Sequence, residues 1–355
     1  MIFQPQWLGK RLQGRTSAGQ VFVWEFENDK LNLLREFTPR PRLVAAAFLQ
    51  TNDLVLLASE QGEIERLSIQ SGEVEDAFET GRTVAGITLD PACQQLCVRG
   101  NGNQLHIWDL ELQEIVLTPL AHASQVKIAR FSNNSRYLLT SANDGIVKVW
   151  DLQAGEKASW QIEGNLKTTR PDKQNFIGAI SDCGEWLAVS NRDQQTSFSL
   201  YRTESESSVF EIELPSACGI ILFSPDSSEV AVTCEDEILR IYSTQNGRLL
   251  SDEIKVDDQF GMLAYTPDGK KIVGANLKMI GLGIDDSIAL YWWDRASGEK
   301  SKPMLHDNFV RDIRINRDGT LAATNCMDKS VQVWDLNTAE AVSYTHLTLP
   351  TIYSV

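Results

Sequence analysis

The sequence predicts an all-β chain built from about eight copies of one four-stranded antiparallel sheet, and three observations lead there. The first is a reference stretch over 121–156, AHASQVKIARFSNNSRYLLTSANDGIVKVWDLQAGE. In it Val126, Ile128 and Phe131 mark a first strand, and Asn133-Asn134-Ser135 a turn. Tyr137, Leu139 and Ser141 then lie along one face of a second strand, closed by Asn143-Asp144-Gly145. Ile146, Lys148 and Trp150 alternate with Val147 and Val149 in a third, and Ala154-Gly155-Glu156 turns the chain toward an outer fourth. Asn, Asp and Gly tolerate the positive φ of a tight turn, so Asn-Asp-Gly between two alternating runs is a strong hairpin signal.

The second observation is that the Trp-Asp closing the third strand recurs. It stands at Trp108-Asp109, Trp150-Asp151, Trp293-Asp294 and Trp334-Asp335, with degenerate equivalents at Trp24-Glu25, Leu67-Ser68, Tyr201-Arg202 and Tyr242-Ser243. The steps between anchors are 43, 41, 42, 51, 41, 51 and 41 residues. The third is the turn between first and second strands, which reads LDPACQQL at 89–96, FSNNSRYL at 131–138, FSPDSSEV at 223–230, YTPDGKKI at 265–272 and INRDGTLA at 315–322. Two markers in register fit the period of four-stranded propeller blades, and a thin sheet that cannot bury both faces alone stacks radially against its neighbours.

The reference unit resembles a WD repeat. That family has Gly-His before strand a, an Asp in the b–c turn and Trp-Asp ending strand c; here these positions are Ala121-His122, Asp144 and Trp150-Asp151. The resemblance implies a hydrogen-bonded tetrad of His, a strand-b hydroxyl, Asp and Trp. The hydroxyl is expected two residues before the Asp, where Ala142 stands, so Thr140 or Ser141 has to substitute. The tetrad-like residues are then His122, Ser141, Asp144 and Trp150 in repeat four, and His306, Asp328 and Trp334 in repeat eight. "PLAH" and "PMLH" before strand a look like bacterial WD-repeat proteins, in which such arrays are often joined to other domains. The resemblance covers about residues 13–341 and speaks to fold more than to partner.

The ends fit less well. No strand a precedes the b- and c-like run up to Phe26, and the array stops before a strand d of repeat eight. The domain is therefore drawn as 1–341, with its first and last repeats incomplete. An eight-bladed ring is the expectation; a seven-bladed ring or a window on a longer tandem array is the alternative. The last stretch, VSYTHLTLPTIYSV at 342–355, carries no acid or base. Its first ten residues back-translate to a string resembling a transposase mosaic end followed by a sequencing adapter, so 342–355 is expected to be non-native and the chain a fragment.

Composition narrows the function classes. No apolar run approaches the length of a membrane-spanning helix and no signal-peptide pattern opens the chain, which points to a cytoplasmic protein. A formal charge of −15 disfavours wholesale nucleic-acid binding. The six cysteines show no metal-type spacing. Cys234 and Cys326 fall two residues before Asp236 and Asp328, where they are expected to replace the tetrad hydroxyl as packed thiols. Of four histidines, His122 and His306 take the structural position, His106 lies within a strand and His346 in the atypical tail. No nucleophile elbow is visible, and Gly-Leu-Gly at 281–283 lacks a following helix pattern.

A non-catalytic platform for protein or peptide partners is thus expected, with no cofactor. Its alternative is a ligand-sensing or catalytic propeller with carboxylates in the channel. The long connections 163–175, 192–196 and 276–286 are all d–a or b–c loops, which the family geometry puts on one face. Aligning the repeats gives Phe309, Arg311, Met327, Phe176, Arg192, Lys127 and Arg42 as candidate contacts on it. Phe, Met and Arg are enriched in interface cores. Basic residues at the mouth of an acidic disc suit an acidic or phosphorylated partner segment.

Overall fold

Each repeat folds as one sheet whose strands a to d follow one another in chain order. The computed structural model describes residues 6–16, 18–28, 30–49, 53–143, 146–154, 158–163, 178–190, 196–205, 207–250, 254–256, 260–276, 288–327 and 330–346. Eight antiparallel sheets result. Blade 1 is Gln6–Leu8, Arg11–Arg15, Val21–Glu27 and Lys30–Phe37; blade 2 is Leu43–Leu49, Leu54–Ser59, Glu63–Ser68 and Val74–Glu79. Blade 3 is Gly86–Leu89, Gln95–Arg99 and Gln104–Asp109, with an outer strand broken into Glu114–Ile115 and Leu120–Ala121. Blade 4 is Val126–Phe131, Tyr137–Ala142, Ile146–Asp151 and Ala158–Glu163. Blade 5 is Gly178–Ile180, Trp186–Ser190, Ser197–Arg202 and Ser208–Glu213; blade 6 is Cys218–Phe223, Glu229–Cys234, Ile238–Ser243 and Ile254–Lys255. Blade 7 is Phe260–Tyr265, Lys271–Asn276, Ile288–Asp294 and Met304–His306; blade 8 is Val310–Ile315, Leu321–Cys326, Ser330–Asp335 and Glu340–His346.

The apolar residues explain why the sheets form a ring. Along strand b of blade 2, Leu54, Leu56 and Ala58 pack toward blade 3, while Val55 and Leu57 pack toward blade 1. A strand apolar on both faces is stable only between two layers. The core accordingly divides into eight clusters, and each straddles one junction between successive blades. The eighth joins Leu321, Ala323, Val331 and Val333 of blade 8 to Leu12 and Trp24 of blade 1, so the molecule is a closed eight-bladed β-propeller. First strands of successive blades also lie against one another, which makes strand a the inner wall around the axis.

The strand-c anchors share one geometry. Trp24, Trp108, Trp150, Tyr242, Trp293 and Trp334 are each at most 7% exposed, and Leu67 is fully buried. Each pairs across to an aliphatic residue of strand b: Trp24 with Leu12, Leu67 with Val55, Trp108 with Leu96 and Trp150 with Leu138. Tyr201 with Leu187, Tyr242 with Val230, Trp293 with Ile272 and Trp334 with Ala322 complete the series. The Asp that follows Trp begins the c–d turn: Asp109 Oδ1 accepts from the Glu111 and Leu112 amides, and Asp335 Oδ1 from those of Asn337 and Thr338.

The a–b turns repeat just as closely. The side chains of Asp90, Ser132, Ser181, Ser224, Thr266 and Asn316 each accept from the amide five residues on. The turn at 181–186 is the copy absent from the sequence markers. Its fourth position is left-handed throughout, with glycine at Gly184, Gly269 and Gly319 but Cys93, Ser135 and Ser227 elsewhere. Two of these exceptions use their side chains. Ser135 Oγ donates to Asp90 Oδ2 at 2.7 Å, and Ser227 Oγ accepts from the Cys183 amide at 3.1 Å, each tying a turn to that of the preceding blade.

Two expectations need correction. Gln6–Leu8 supplies strand a of blade 1, its first residue facing Gln13, so the first repeat is complete. Glu340–His346 supplies strand d of blade 8, pairing Val333 with Ser343 and Trp334 with Ala341. An outer strand needs little beyond extended backbone, and Val342 packs against the seam cluster, so the unusual composition of this stretch did not reveal it. The seam between blades 8 and 1 shares no strand. It is held by the apolar cluster and by Trp7 Nε1, which donates to the Arg314 carbonyl at 3.0 Å.

Replacing Trp24 by Ala at this seam is expected to cost about 3–5 kcal/mol, the usual loss for a buried Trp. Urea unfolding measures it, and a loss below about 1 kcal/mol would mean that the seam is not closed by this cluster.

Candidate functional site

In a four-stranded antiparallel blade the start of a, end of b, start of c and end of d share one end. All b–c turns and d–a connections therefore lie on one rim. The long connections leave from strand ends on this rim; 164–177, 191–195 and 277–287 themselves, with Phe176 and Arg192, lie outside the described residues.

Below the rim, blades 4 and 8 carry buried polar networks. Trp150 Nε1 donates to Thr140 Oγ1 at 2.8 Å, and His122 Nε2 lies 2.7 Å from the same oxygen. In blade 8, His306 Nδ1 donates to the Met304 carbonyl at 3.0 Å. That leaves Nε2 to accept from Thr324 Oγ1 at 2.8 Å and from Trp334 Nε1 at 3.1 Å. The hydroxyl is thus Thr140, not Ser141, and it stands four residues before the turn Asp rather than two. Register gives the reason. Trp150 pairs with Leu138, so Thr140 is the diagonal neighbour on the same face, whereas Ala142 is another strand step away. Cys326 is likewise too far along strand b to meet Trp334, which pairs with Ala322. Cys234 and Cys326 are buried thiols, and Val232 occupies the position in blade 6 that Thr140 holds in blade 4. Asp144 and Asp328 lie outside the described residues. Blade 3, with Val98 at the hydroxyl position, leaves Trp108 Nε1 buried without a partner.

Blade 6 uses its turn acid differently. Asp236 accepts from Arg240 Nη1 at 3.1 Å and Nη2 at 2.7 Å. The hydrogen bonds from Arg240 hold the Asp236 carboxyl below its ordinary pKa, against the opposing effect of burial.

On the rim, Phe309 and Met327 of blade 8 are brought together: the Met327 amide donates to the Phe309 carbonyl at 2.8 Å, and the Met327 side chain is 50% exposed. Arg42 is exposed in blade 2, at a left-handed φ of 56°. Lys127 and Arg311 are equivalent to each other. Each is the extra residue of a β-bulge at the start of strand a, between Val126 and Ile128 and between Val310 and Asp312. A bulge re-aims the side chain it carries. Three residues deeper, Arg130 and Arg314 occupy matching positions of the same two strands, and they sense each other. Burial first and the charge of Arg314 second lower the Arg130 pKa; Asp312 partly offsets them. Arg130 is reached by solvent yet closely surrounded by the inner wall, which is why both effects act on it. Burial raises the Asp312 carboxyl, against the pull of Arg314 and Arg130. Among the described residues, the eight inner strands carry Asp312 as their one acid, against Lys127, Arg130, Arg311 and Arg314.

Two further cations complete this region. Arg15 and Arg99 end strand b in blades 1 and 3, where other blades have Ala58, Ser141, Ser190, Thr233, Ala275 and Asn325. Arg15 Nη1 donates to the Leu43 carbonyl at 3.0 Å and Arg99 Nη1 to that of Val126 at 3.2 Å, each reaching the next blade's inner strand. With Lys127 they border a cavity of about 250 Å³. Sequence alignment missed Arg15, Arg99, Arg130 and Arg314. The parallel V-K-I-A-R and V-R-D-I-R runs at 126–130 and 310–314 were a usable signal. No group of three or more potential metal ligands occurs among the described residues. No helix there is long and apolar enough to cross a membrane.

Comparison with known proteins agrees with this architecture. The family described as "WD domain, G-beta repeat" matches residues 113–151 and 302–335, the stretches that end in Asp151 and Asp335 and contain both His–Thr–Trp networks. Angio-associated migratory cell protein of Homo sapiens is 24% identical over 271 residues, covering 71% of this chain and 58% of that protein. Apoptotic protease-activating factor 1 of Mus musculus is 20% identical over 248 residues, covering 70% and 17%. THO complex subunit 6 of Homo sapiens is 23% identical over 226 residues, covering 58% and 66%. These relatives are eukaryotic, and the chain spans a little over half the length of the angio-associated protein. Among solved structures, the computationally designed Ika8 protein is similar at a TM-score of 0.69 and 14% identity, over 93% of this chain and 95% of that one. Dihydro-heme d1 dehydrogenase NirN is similar at 0.67 and 15%, over 96% and 74%. Both show the fold alone. Repeats, networks and closed ring together place the chain in the WD-repeat β-propeller family, whose members serve in general as platforms for protein interaction.

Two outcomes follow from the networks. Thr140→Val keeps shape but strips His122 and Trp150 of their shared partner, which should cost about 1–3 kcal/mol; Ser141→Ala should cost less than half as much. Thermal unfolding of the two variants decides between the two hydroxyls. Asp236→Asn tests the blade 6 pair. Because the folded carboxyl is depressed, its contribution is present above the unfolded value of about 4 and lost as pH falls through the folded one. The variant should therefore be less stable at pH 7, and the gap to the wild type should close in acid.

Proposed function

We propose that the chain is a non-catalytic platform that binds protein or peptide partners on the rim of b–c and d–a loops. The single observation that carries this is the joined Phe309–Met327 pair, apolar and part exposed, beside a channel mouth that holds Arg311 and Lys127. Arg42 extends the basic character to blade 2, and Phe176 and Arg192 belong to the same proposed face. An acidic or phosphorylated segment suits these cations, whereas the overall charge of −15 speaks against duplex nucleic acid. The names of two relatives, a complex subunit and a protease-activating factor, describe proteins that work through other proteins. Reduced, buried Cys97, Cys234 and Cys326 are in keeping with a cytoplasmic setting. A carboxylate site in the channel would need converging acids, and the described inner strands offer Asp312 alone.

We further propose that 342–355 is adapter-derived. Resequencing the source DNA across codon 341 tests this, and a genomic read that encodes the same tail would refute it.

The face itself is tested by mutation. A Phe309→Ala/Arg311→Glu double variant should retain wild-type thermal stability within about 1 kcal/mol, as for surface changes, yet lose at least one partner captured by the wild type from lysate of the source cells. An unchanged capture profile would sink the proposed face.

A further inference from the structure

We propose that the cavity edged by Arg15, Arg99 and Lys127 is a binding site for a phosphomonoester dianion. That the dianion is carried by a partner's segment rests on the interaction reading above; the site itself does not.

The cavity, about 250 Å³, lies between the inner strands of blades 2, 3 and 4 and the strand-b ends of blades 1 and 3. Its apolar lining includes Val44, Ala45, Ile87, Ile128 and Ala129, on inner strands of the ring. A single water occupies about 30 Å³, so the space holds a tetrahedral anion with water to spare. The cations that line it come from three different blades, 1, 3 and 4. Arg15 is only 6% exposed, and beyond its bond to the Leu43 carbonyl its Nε is buried with no hydrogen-bond partner. Arg99 is half-buried, and its Nη2 lies close over Gly86: a Cβ there would stand 2.8 Å from it, so a larger residue would push the guanidinium aside. Gly86 has no left-handed φ, and the Arg99 guanidinium fills the space beside it. Lys127 is exposed, its Nζ donating to Gln125 Oε1 at 2.8 Å.

Among the described residues no carboxylate pairs with any of the three. This is unusual in a chain with 48 acids against 33 Lys and Arg. Burial lowers the pKa of both Arg15 and Arg99, as expected for cations desolvated without a counter-charge. Bonds to the Leu43 and Val126 carbonyls explain one N–H of each guanidinium and leave the convergence unexplained. A single carboxylate matches one guanidinium fork. A phosphomonoester, with up to two charges and three acceptor oxygens, matches three cations around a concave space.

Calorimetry on the full chain tests the site directly. Inorganic phosphate is titrated at constant ionic strength with chloride as control, then a phosphoserine peptide, its unphosphorylated twin and a single-stranded oligonucleotide. Phosphate should bind where chloride does not, and the phosphopeptide should bind at least about tenfold more tightly than its twin. Arg99→Gln and Lys127→Gln should each weaken phosphate and phosphopeptide by about tenfold; Lys127 is exposed, so its variant keeps the test readable if Arg99→Gln fails to fold. Phosphate binding no better than chloride, undiminished binding by Lys127→Gln, or an oligonucleotide outcompeting the phosphopeptide would each overturn the proposal. Phosphate bound by a chain whose partners ignore Phe309→Ala/Arg311→Glu would leave the cavity standing and the face refuted. Captured partners without phosphate binding would show the reverse.

Discussion

Side-chain packing between neighbouring sheets is the constraint on which everything else in this molecule depends. Strand b of a typical blade is apolar on both faces, as Leu54 to Ala58 show, and neither face has a partner within its own sheet. Folding a blade alone would leave two greasy surfaces in water, so the sheets stabilise one another or not at all. Eight junctions then close a ring, and at five of them a strand-c tryptophan is the largest buried group. A ring held this way does not require the rim for its stability. The loops there are free to diverge, and the inner strands to collect charge.

Polar networks inside the blades obey a stricter rule. In blades 4 and 8, histidine, threonine and tryptophan occur together; at the threonine position other blades have Gly14, Leu57, Val98, Val189, Val232 and Gly274. A buried histidine without its hydroxyl would leave unsatisfied polar atoms, so the network is worth keeping whole or dropping whole. The unpartnered indole N–H of Trp108 is what remains when it is dropped but the tryptophan is kept for its area. This is also why the family's sequence pattern matches only the stretches ending in blades 4 and 8 although the fold has eight repeats.

Charge is distributed against the average. The chain carries −15 overall, yet Lys127, Arg130, Arg311 and Arg314 gather on two inner strands, with Arg15 and Arg99 close to the first of them. An acidic exterior repels general polyanions, while a narrow, low-dielectric opening focuses the field of the few cations within it. Selective recognition of one negatively charged group, presented on a segment thin enough to enter, is the chemistry such a distribution favours.

Anchor spacing and the a–b turn motif by themselves determined the all-β class, a count of about eight repeats and the strand in which each anchor lies, because both markers are local and repeat with the period of the fold; that all eight close into one ring was decided by the packing of blade 8 on blade 1. The rim followed too, since antiparallel order alone puts b–c and d–a loops at one end. The tetrad hydroxyl was misplaced because counting back from a turn ignores register; only the pairing of Trp150 with Leu138 shows that Thr140 is in reach. Strand a of blade 1 was invisible because three residues, Gln6–Leu8, are too short to show a period. The influence of Arg314 on Arg130, and the cavity that Arg15 shares with Lys127, were beyond the sequence for a different reason. These residues belong to separate blades, and their distance is set by ring closure, which depends on all eight junctions at once.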